Sequence, residues 1–311
     1  MCSSDLSIEI ESATAFTISA KGGQDKEALF VFQDAVDNLS RLPAQSKNGR
    51  IVKVSNSVAV EDDYYLKFIA DNGTSGVGYW EETLKPDASP GLTAATMPHQ
   101  LIRNANGTFT FQRSAWENRL VGDDISNEHP SFVGNTIQQL FFYNNRLGAL
   151  TEENVSMSQT GDYLNFYHNS ALTVVASDPV DIACSSIRPA TLHGVIPVAQ
   201  GLLLFSRSQQ FLLQGANGIL TPNGTTIKTI SNYEMDTVND PVDMGTTVAF
   251  ISKTPSYVRV FEMQTLGQEN SPVVVDISTT TGLFSWPRSE DTRLNSSHIT
   301  ISYAVFCLKK K

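Results

Sequence analysis

The chain has 311 residues, with 22 lysines and arginines against 32 aspartates and glutamates, so its formal net charge is −10 at pH 7. This balance argues against tight wrapping of nucleic acid, because neutralising phosphates requires clustered basic side chains. No run of eighteen apolar residues is present, which argues against a helical membrane span. Charged residues make up only 17%, and the many turn-forming residues favour short strands.

The first part of the chain, residues 7–95, predicts a small α+β domain that is truncated at its front. Apolar and polar residues alternate over residues 7–20, which predicts one or two strands. Apolar residues recur at helical spacing within Ala28–Leu42, and Pro43 follows. This stretch therefore predicts a short helix that ends before the proline.

Strands are predicted again after this helix. The segments Arg50–Val54 and Tyr64–Ile69 alternate in the manner of strands, and Asp71-Asn72-Gly73 predicts a hairpin turn leading into residues 78–81. The segment Lys85–Met97 contains proline, glycine and serine, and we place the domain boundary in it, at residue 95.

The pattern of residues 96–287 predicts a mainly β core. Three stretches share one pattern, an apolar run, a polar corner and a second apolar run; they are Leu140–Leu150, Leu202–Leu213 and Val248–Phe261. Their starts lie 62 and 46 residues apart, a spacing typical of propeller blades with four strands each. We therefore predict an incomplete β-propeller-like arc of blades, with a β-sandwich meander as the alternative.

A short repeat supports the blade hypothesis. The sequence Asp-Pro-Val-Asp occurs at residues 178–181 and again at residues 240–243, which repeats the 62-residue spacing. An aspartate before proline favours a turn in which the carboxylate accepts backbone N–H groups.

No residue pattern predicts a catalytic, cofactor or metal site. The four histidines before residue 288 do not have the spacing of metal ligands; they are His99, His129, His168 and His193. Cys2, Cys184 and Cys307 are isolated, so neither a disulfide framework nor a zinc site is expected. No nucleophile elbow of the form Gly-x-Ser-x-Gly occurs.

Paired carboxylates are the only pattern that could serve an enzyme, because glycoside hydrolysis requires two of them. The candidate pairs are Asp123 with Asp124, Glu152 with Glu153, and Asp178 with Asp181. Neighbouring acids on a strand or turn usually point apart into solvent. We therefore predict no enzyme, and a β-fold carbohydrate-active hydrolase acting on the host envelope is kept as an alternative.

Both ends of the chain resemble translated sequencing adapter. Residues 288–311 read RSEDTRLNSSHITISYAVFCLKKK, which is similar to one adapter reading frame that continues into poly(A). Residues 1–6, MCSSDL, resemble the adapter at the opposite end. We expect both segments to be artefacts, so that the natural fragment spans residues 7–287 and is more acidic than the whole chain.

Several strings between residues 41 and 215 resemble the tail tubular protein B family, the nozzle proteins of short-tailed phages (podoviruses). The strings agree in order and spacing over more than half of the chain. They are RLP at 41–43, NGRIVKV at 48–54, TMPHQLIRNANGTFTF at 96–111, PSFVGNTIQQLFFYNNRLGAL at 130–150, ENVSMSQTGDYLNFY at 153–167, SDPVDIACSSIRP at 177–189 and LLLFSRSQQFLL at 202–213.

This resemblance implies a virion structural protein with a propeller-like core and inserted small domains. In the family, a hexameric ring lies below the connector and the upper tail-tube protein, with tail fibres as further partners, and double-stranded DNA passes through during ejection without specific binding. The implied location is the phage tail, with assembly in the host cytoplasm. No catalytic residue is transferred by the resemblance, and a receptor-binding tail protein is a further alternative.

Within such a core, particular residues acquire expected roles. Apolar anchors are expected to pack between adjacent blades; they are Phe141, Phe142, Leu147, Phe166 and Tyr167. We expect Asn144-Asn145-Arg146 to be a solvent-side or interface turn, whose arginine is satisfied locally or pairs with a carboxylate of a neighbouring subunit. Acids in turns are expected to repel DNA phosphates from the channel wall; the candidates are Asp123, Asp124, Glu152 and Glu153.

Overall fold

The computed structural model describes residues 6–10, 16–20, 34–55, 63–186, 188–216, 218–253, 258–264 and 272–278. The chain forms two compact units. Unit 1 comprises residues 1–88, 120–126 and 170–172, and unit 2 comprises residues 89–119, 127–169 and 173–311. The described residues are mainly β, as predicted, with 21 strands and one short 3₁₀ helix. Apart from Leu6, the adapter-like ends lie outside the described residues.

Unit 1 contains a two-stranded hairpin and a five-stranded sheet. Its strands are β1 (Leu6–Ile10), β2 (Phe16–Ala20), β3 (Ala35–Val36), β4 (Gln45–Lys47), β5 (Ile51–Val54), β6 (Tyr64–Ala70) and β7 (Ser75–Thr83). β1 pairs with β2, which confirms strands in the described part of residues 7–20, and the five-stranded sheet has the order β3-β5-β6-β7-β4. All neighbours in the sheet are antiparallel except β3 and β5.

The predicted strands of unit 1 are confirmed, and its core explains their alternation. Val52, Val54 and Leu66 are buried together on one face of the sheet. The hairpin predicted at Asp71-Asn72-Gly73 joins β6 to β7, and Gly73 has φ +74°, a conformation that favours glycine. The Asn72 side chain accepts hydrogen bonds from the backbone N–H groups of residues 74 and 75.

The helix predicted over Ala28–Leu42 is wrong where the structure describes it. Val36 lies in β3, pairs in parallel with Val54, and is only 7% exposed. Leu39–Arg41 form a 3₁₀ helix, which the Asn38 side chain caps by accepting the N–H of residue 40. Burial of Val36 against the sheet outweighs the local helical spacing. The described part of unit 1 is therefore β rather than α+β, and residues 28–33 lie outside the description.

Unit 2 contains one separate hairpin and three four-stranded sheets. The hairpin is β8 (His99–Arg103) and β9 (Phe109–Arg113). The first sheet comprises β10 (Ile137–Tyr143), β11 (Arg146–Thr151), β12 (Asn154–Met157) and β13 (Val180–Ala183). The second comprises β14 (Leu192–Val198), β15 (Gly201–Ser206), β16 (Gln210–Gly215) and β17 (Thr225–Ser231). The third comprises β18 (Val242–Asp243), β19 (Thr247–Lys253), β20 (Val258–Gln264) and β21 (Val273–Asp276).

Each of these sheets is an antiparallel meander in which strand order follows chain order. The three predicted hairpins are confirmed as the pairs β10–β11, β15–β16 and β19–β20. The turn of the last pair, residues 254–257, lies outside the described residues. One sheet therefore follows another along the chain, with each sheet built from local pairings.

The second sheet is buried on both faces. Along β15, Leu202 and Leu204 pack against the first sheet, whereas Leu203 and Phe205 pack against the third. All six residues of β15 are buried, which explains why GLLLFS is a continuous apolar run without polar alternation. On the third-sheet side, Phe205 and Phe250 have ring centroids 5.7 Å apart. The three sheets therefore form one stack.

The two Asp-Pro-Val-Asp sequences do not occupy equivalent positions. Residues 178–181 lead into β13, the last strand of the first sheet, whereas residues 240–243 lead into β18, the first strand of the third. The two sequences are 62 residues apart, as are the starts of the first two hairpins, but this shared spacing does not reflect a structural repeat. The predicted turn chemistry is nevertheless present, since the Asp178 carboxylate accepts the backbone N–H of Val175 at 2.8 Å.

The expected apolar anchors have different environments. Phe141 packs against the core between the first and second sheets. Phe166 and Leu147 belong to a separate core with Met97 and Phe132, which covers the opposite face of the first sheet. Tyr167 is buried, with 1% exposure. The expectation is wrong for Phe142, which is 59% exposed and whose ring lies edge-to-face with that of Tyr163 at a centroid distance of 4.9 Å.

The two-sided burial of β15 predicts an unusual mutational pattern. Leu203→Ala and Leu204→Ala should each lower the free energy of unfolding by about 2–5 kcal/mol, because each leaves a cavity in a different core. Ile219→Ala, at a residue that is 63% exposed, is the control and should change it by less than about 0.5 kcal/mol. Urea denaturation followed by circular dichroism measures all three. A large effect for one leucine alone would contradict burial on both faces.

Candidate functional site

The described residues contain no group of three or more histidine, cysteine or acidic side chains that could hold a metal ion. The histidines are dispersed over separate contacts. His129 Nδ1 lies 2.7 Å from the Tyr167 hydroxyl, His168 lies 3.4 Å from the Asp178 carboxylate, and His99 stacks on Phe111. None of the helices in the part of the chain that the structure describes is long and apolar enough to cross a bilayer.

The candidate carboxylate pairs are used as hydrogen-bond acceptors for the fold. Asp181 accepts the backbone N–H and the hydroxyl of Ser131, both at 2.7 Å, and the hydroxyl of Ser156 at 3.0 Å. Glu153 accepts the backbone N–H of Ala190 at 2.7 Å. Each of these carboxylates therefore joins chain segments that are distant in sequence.

The expectation that Asp123 lines a channel conflicts with its burial. It is 8% exposed and accepts the backbone N–H groups of Ile125 and Ser126. Burial acts to raise its pKa, but these hydrogen bonds and Lys85, at 4.0 Å, hold the pKa below its usual value. Asp124 and Glu152 are exposed.

Cys184 is a buried thiol in the core between the first and second sheets. Burial in apolar surroundings, together with the negative charge of Glu153, raises its pKa to about 12. A thiol at that pKa stays protonated at neutral pH, so it is neither a nucleophile nor a ready metal ligand.

Arg146 is satisfied locally, which confirms one of the two expectations, but it is buried rather than at a solvent-side turn. It is 1% exposed, and its guanidinium donates to the backbone carbonyl oxygens of Ser158, Asp178 and Ala176 at 2.7–2.8 Å. The preceding Asn144 and Asn145 have φ of 46° and 58°, which turns the hairpin so that residue 146 starts β11 facing inward. The arginine therefore fastens the first sheet to the long loop between β12 and β13.

A second buried arginine repeats this arrangement. Arg119 is 1% exposed, and its guanidinium donates to the carbonyl oxygens of Asn127 and Ser89 at 2.9 and 2.8 Å. Planar guanidinium groups suit this task because they present several donors in fixed directions. Neither role has a sequence signature, since the acceptors are backbone groups.

The hairpin β8–β9 exposes an apolar and basic face. Leu101 lies opposite Phe111, and Arg103 lies opposite Phe109, so that these side chains share one face with Arg113. Leu101, Phe109 and Phe111 are 66%, 62% and 70% exposed. We call these five residues the hairpin patch. It contains two arginines and no acid, and sequence analysis missed it.

A second exposed apolar surface has the opposite charge. Tyr233–Met244 runs from the end of the second sheet into the third and contains four acidic residues but no lysine or arginine. Val238 is 82% exposed, Val242 56% and Met244 47%. We call residues 233–244 the acidic segment. Its Asp236 carboxylate is bound by Lys253 at 2.7 Å, which anchors the segment to the third sheet.

Replacing Arg146 tests the role of its buried guanidinium. Arg146→Met should lower the free energy of unfolding by about 3–5 kcal/mol, because it leaves Asp178 and several carbonyl groups buried without their cation. Arg207→Met, at an exposed arginine of the same unit, is the matched control and should have little effect. Chemical denaturation measures both. Equal effects of the two variants would contradict a structural role for Arg146.

Asp123 generates a pH prediction. A carboxylate whose folded-state pKa is depressed stabilises the fold above its unfolded pKa, and this contribution is lost as the pH falls through the folded value. The stability difference between the wild-type chain and Asp123→Asn should therefore be largest near neutral pH and shrink below about pH 4. Thermal melts across pH measure it, and a difference that grows on acidification would contradict the assignment.

Comparison with known proteins identifies the family of this chain. Residues 2–286 match the family described as "Bacteriophage nozzle protein". The chain is also 32% identical over 245 residues to "Tail tubular protein gp12" of Escherichia phage T7. That alignment covers 78% of this chain but 30% of the relative, so the chain spans about a third of the relative's length. The chain belongs to the bacteriophage nozzle protein family.

Proposed function

We propose that this chain is part of a structural subunit of a short-tailed phage tail tube and forms a stretch of the wall through which DNA is ejected. Membership of the nozzle family carries the proposal. The stacked sheets of unit 2 support it, because the wall of a DNA channel requires well-packed structural elements. The carboxylates of Asp181 and Glu153 and the buried guanidinium of Arg146 hold loops to these sheets.

We further propose that the three sheets are consecutive blades of a propeller-like core. Each has four antiparallel strands in chain order. The first strands β10 and β14 lie beside each other, and so do the last strands β13 and β17, so the first two sheets stack with the same orientation. Blades stack in this way. A two-layer sandwich has no sheet covered on both faces, whereas the second sheet here is covered twice.

In the whole protein, we propose a hexameric ring that contacts the upper tail-tube and connector proteins and the tail fibres. The acidic balance of the chain, −10, supports passage of DNA without specific binding, since carboxylates repel phosphates at short range. The location would be the virion tail, after assembly in the host cytoplasm.

The alternative hypothesis, that the chain is a carbohydrate-active hydrolase, has less support. In the described residues, Asp123, Asp181 and Glu153 each accept hydrogen bonds that join segments of the fold. Such carboxylates are positioned for stability rather than for proton transfer to a substrate. We therefore propose that the chain contributes no hydrolytic activity.

A chimeric phage tests the proposed function. The part of the T7 tail tubular protein that aligns with this chain would be replaced by the aligned residues of this chain, in a phage lacking its own copy of the gene. We expect the product to be incorporated into tails, and the particles to eject DNA. Electron microscopy and a potassium-release or DNA-ejection assay measure the two steps.

The control chimera carries Arg146→Met, which should fail to assemble because the first sheet loses its buried cation. Full-length tails that contain the chimeric protein but never eject DNA would contradict the role in the channel. Particles that lack the protein, although it folds, would contradict a place in the tube.

A further inference from the structure

The structure leaves two complementary surfaces of unit 2 uncovered. The hairpin patch combines three exposed apolar side chains with Arg103 and Arg113. The acidic segment combines exposed apolar side chains with Glu234, Asp240 and Asp243. Contiguous exposed apolar surface with a charged rim is typical of protein–protein contact sites.

We infer that the hairpin patch of one copy of the protein docks on the acidic segment of a second copy. The inference rests on the proposed function as a tube subunit and names the surfaces that would join neighbouring subunits. Arginine side chains at the edge of the patch would bind carboxylates of the segment. The apolar side chains of the two surfaces would meet between them.

The register of the hairpin places its charges where this contact requires them. Arg113 lies opposite His99 at one end of the patch, and Arg103 lies opposite Phe109 towards the other end. Leu101 and Phe111 lie opposite each other between these pairs. The apolar centre is therefore flanked by a cation on each side, the arrangement of a core and rim in protein interfaces.

The contact is heterologous, because the two surfaces are different parts of the same unit. A heterologous contact repeats from copy to copy and produces a closed ring when the rotation between copies closes. An isologous contact would instead stop at a dimer. The paired surfaces therefore suit a subunit of a ring.

Nucleic acid fits the hairpin patch less well than a second copy. Surfaces that bind DNA are strongly basic and polar, whereas the patch has two arginines beside side chains that are 62–70% exposed and fully apolar. The acidic segment carries four acidic residues and no lysine or arginine, so it is locally a favourable partner for a basic patch.

Charge reversal on the 311-residue chain tests the inference. The hairpin variant carries Arg103→Glu and Arg113→Glu, and the segment variant carries Glu234→Arg and Asp240→Arg. Sedimentation velocity at low ionic strength would measure self-association. Each variant alone should associate about tenfold or more weakly than the wild-type chain. An equimolar mixture should regain association, because every reversed patch then meets a reversed segment and every unchanged patch an unchanged one.

A matched control separates the contact from net charge. Arg188→Glu with Lys228→Glu changes the net charge of the chain as the hairpin variant does, at exposed residues of unit 2 that lie outside both surfaces. This control should associate like the wild-type chain. Circular dichroism melts should show that all variants fold, and rising salt should weaken association of the wild-type chain, because exposed charge pairs are screened.

Several outcomes would overturn the inference. These are a wild-type chain that does not associate, a hairpin variant that associates normally, a control that is equally weakened, and a mixture that regains nothing. A gel-shift assay with duplex DNA adds one more, since a hairpin variant that loses DNA binding but keeps self-association would assign the patch to nucleic acid. None of these results bears on the proposed tube function, which the chimeric phage tests independently.

Discussion

Burial of the second sheet on both faces organises unit 2. The strand β15 contributes alternate side chains to two different cores, so neither the first nor the third sheet can lose its neighbour without exposing apolar surface. A sheet face of this kind has no solvent side, and its sequence is correspondingly free of polar alternation. The second sheet therefore links the first and third sheets through its two cores.

Loops on this stack are held partly by buried apolar residues such as Phe166 and partly by buried arginines. Arg146 donates hydrogen bonds to carbonyl oxygens at both ends of the loop between β12 and β13. Arg119 donates to the carbonyl oxygens of Asn127 and Ser89. Burial lowers the pKa of the Arg146 guanidinium, and the nearby Asp178 carboxylate acts in the opposite direction. A buried cation with its donors satisfied fixes loop geometry, because moving the loop would leave that charge without acceptors.

The sequence predicted one hairpin in each sheet of unit 2, because apolar runs separated by turn residues are local signals. The helix over Ala28–Leu42 failed in its described part because parallel pairing of Val36 with Val54 is a long-range contact. Arg146 follows two asparagines, a composition typical of an exposed turn, and its partners are backbone carbonyls that no side-chain motif identifies. Exposure of Phe142 and Phe111 was equally unpredictable, because alternation does not reveal whether a covering element exists.

The distribution of charge links this fold to assembly. Acidic residues in the described part of the chain are divided between buried acceptors such as Asp178 and exposed ones such as Asp240. Only the exposed group is available to repel phosphate or to attract a basic surface. A basic and apolar hairpin on an otherwise acidic chain is therefore a liability in an isolated subunit, where it favours non-specific association. In the proposed contact a neighbouring copy would cover this surface, and the association that is unfavourable for an isolated subunit would then stabilise the assembly.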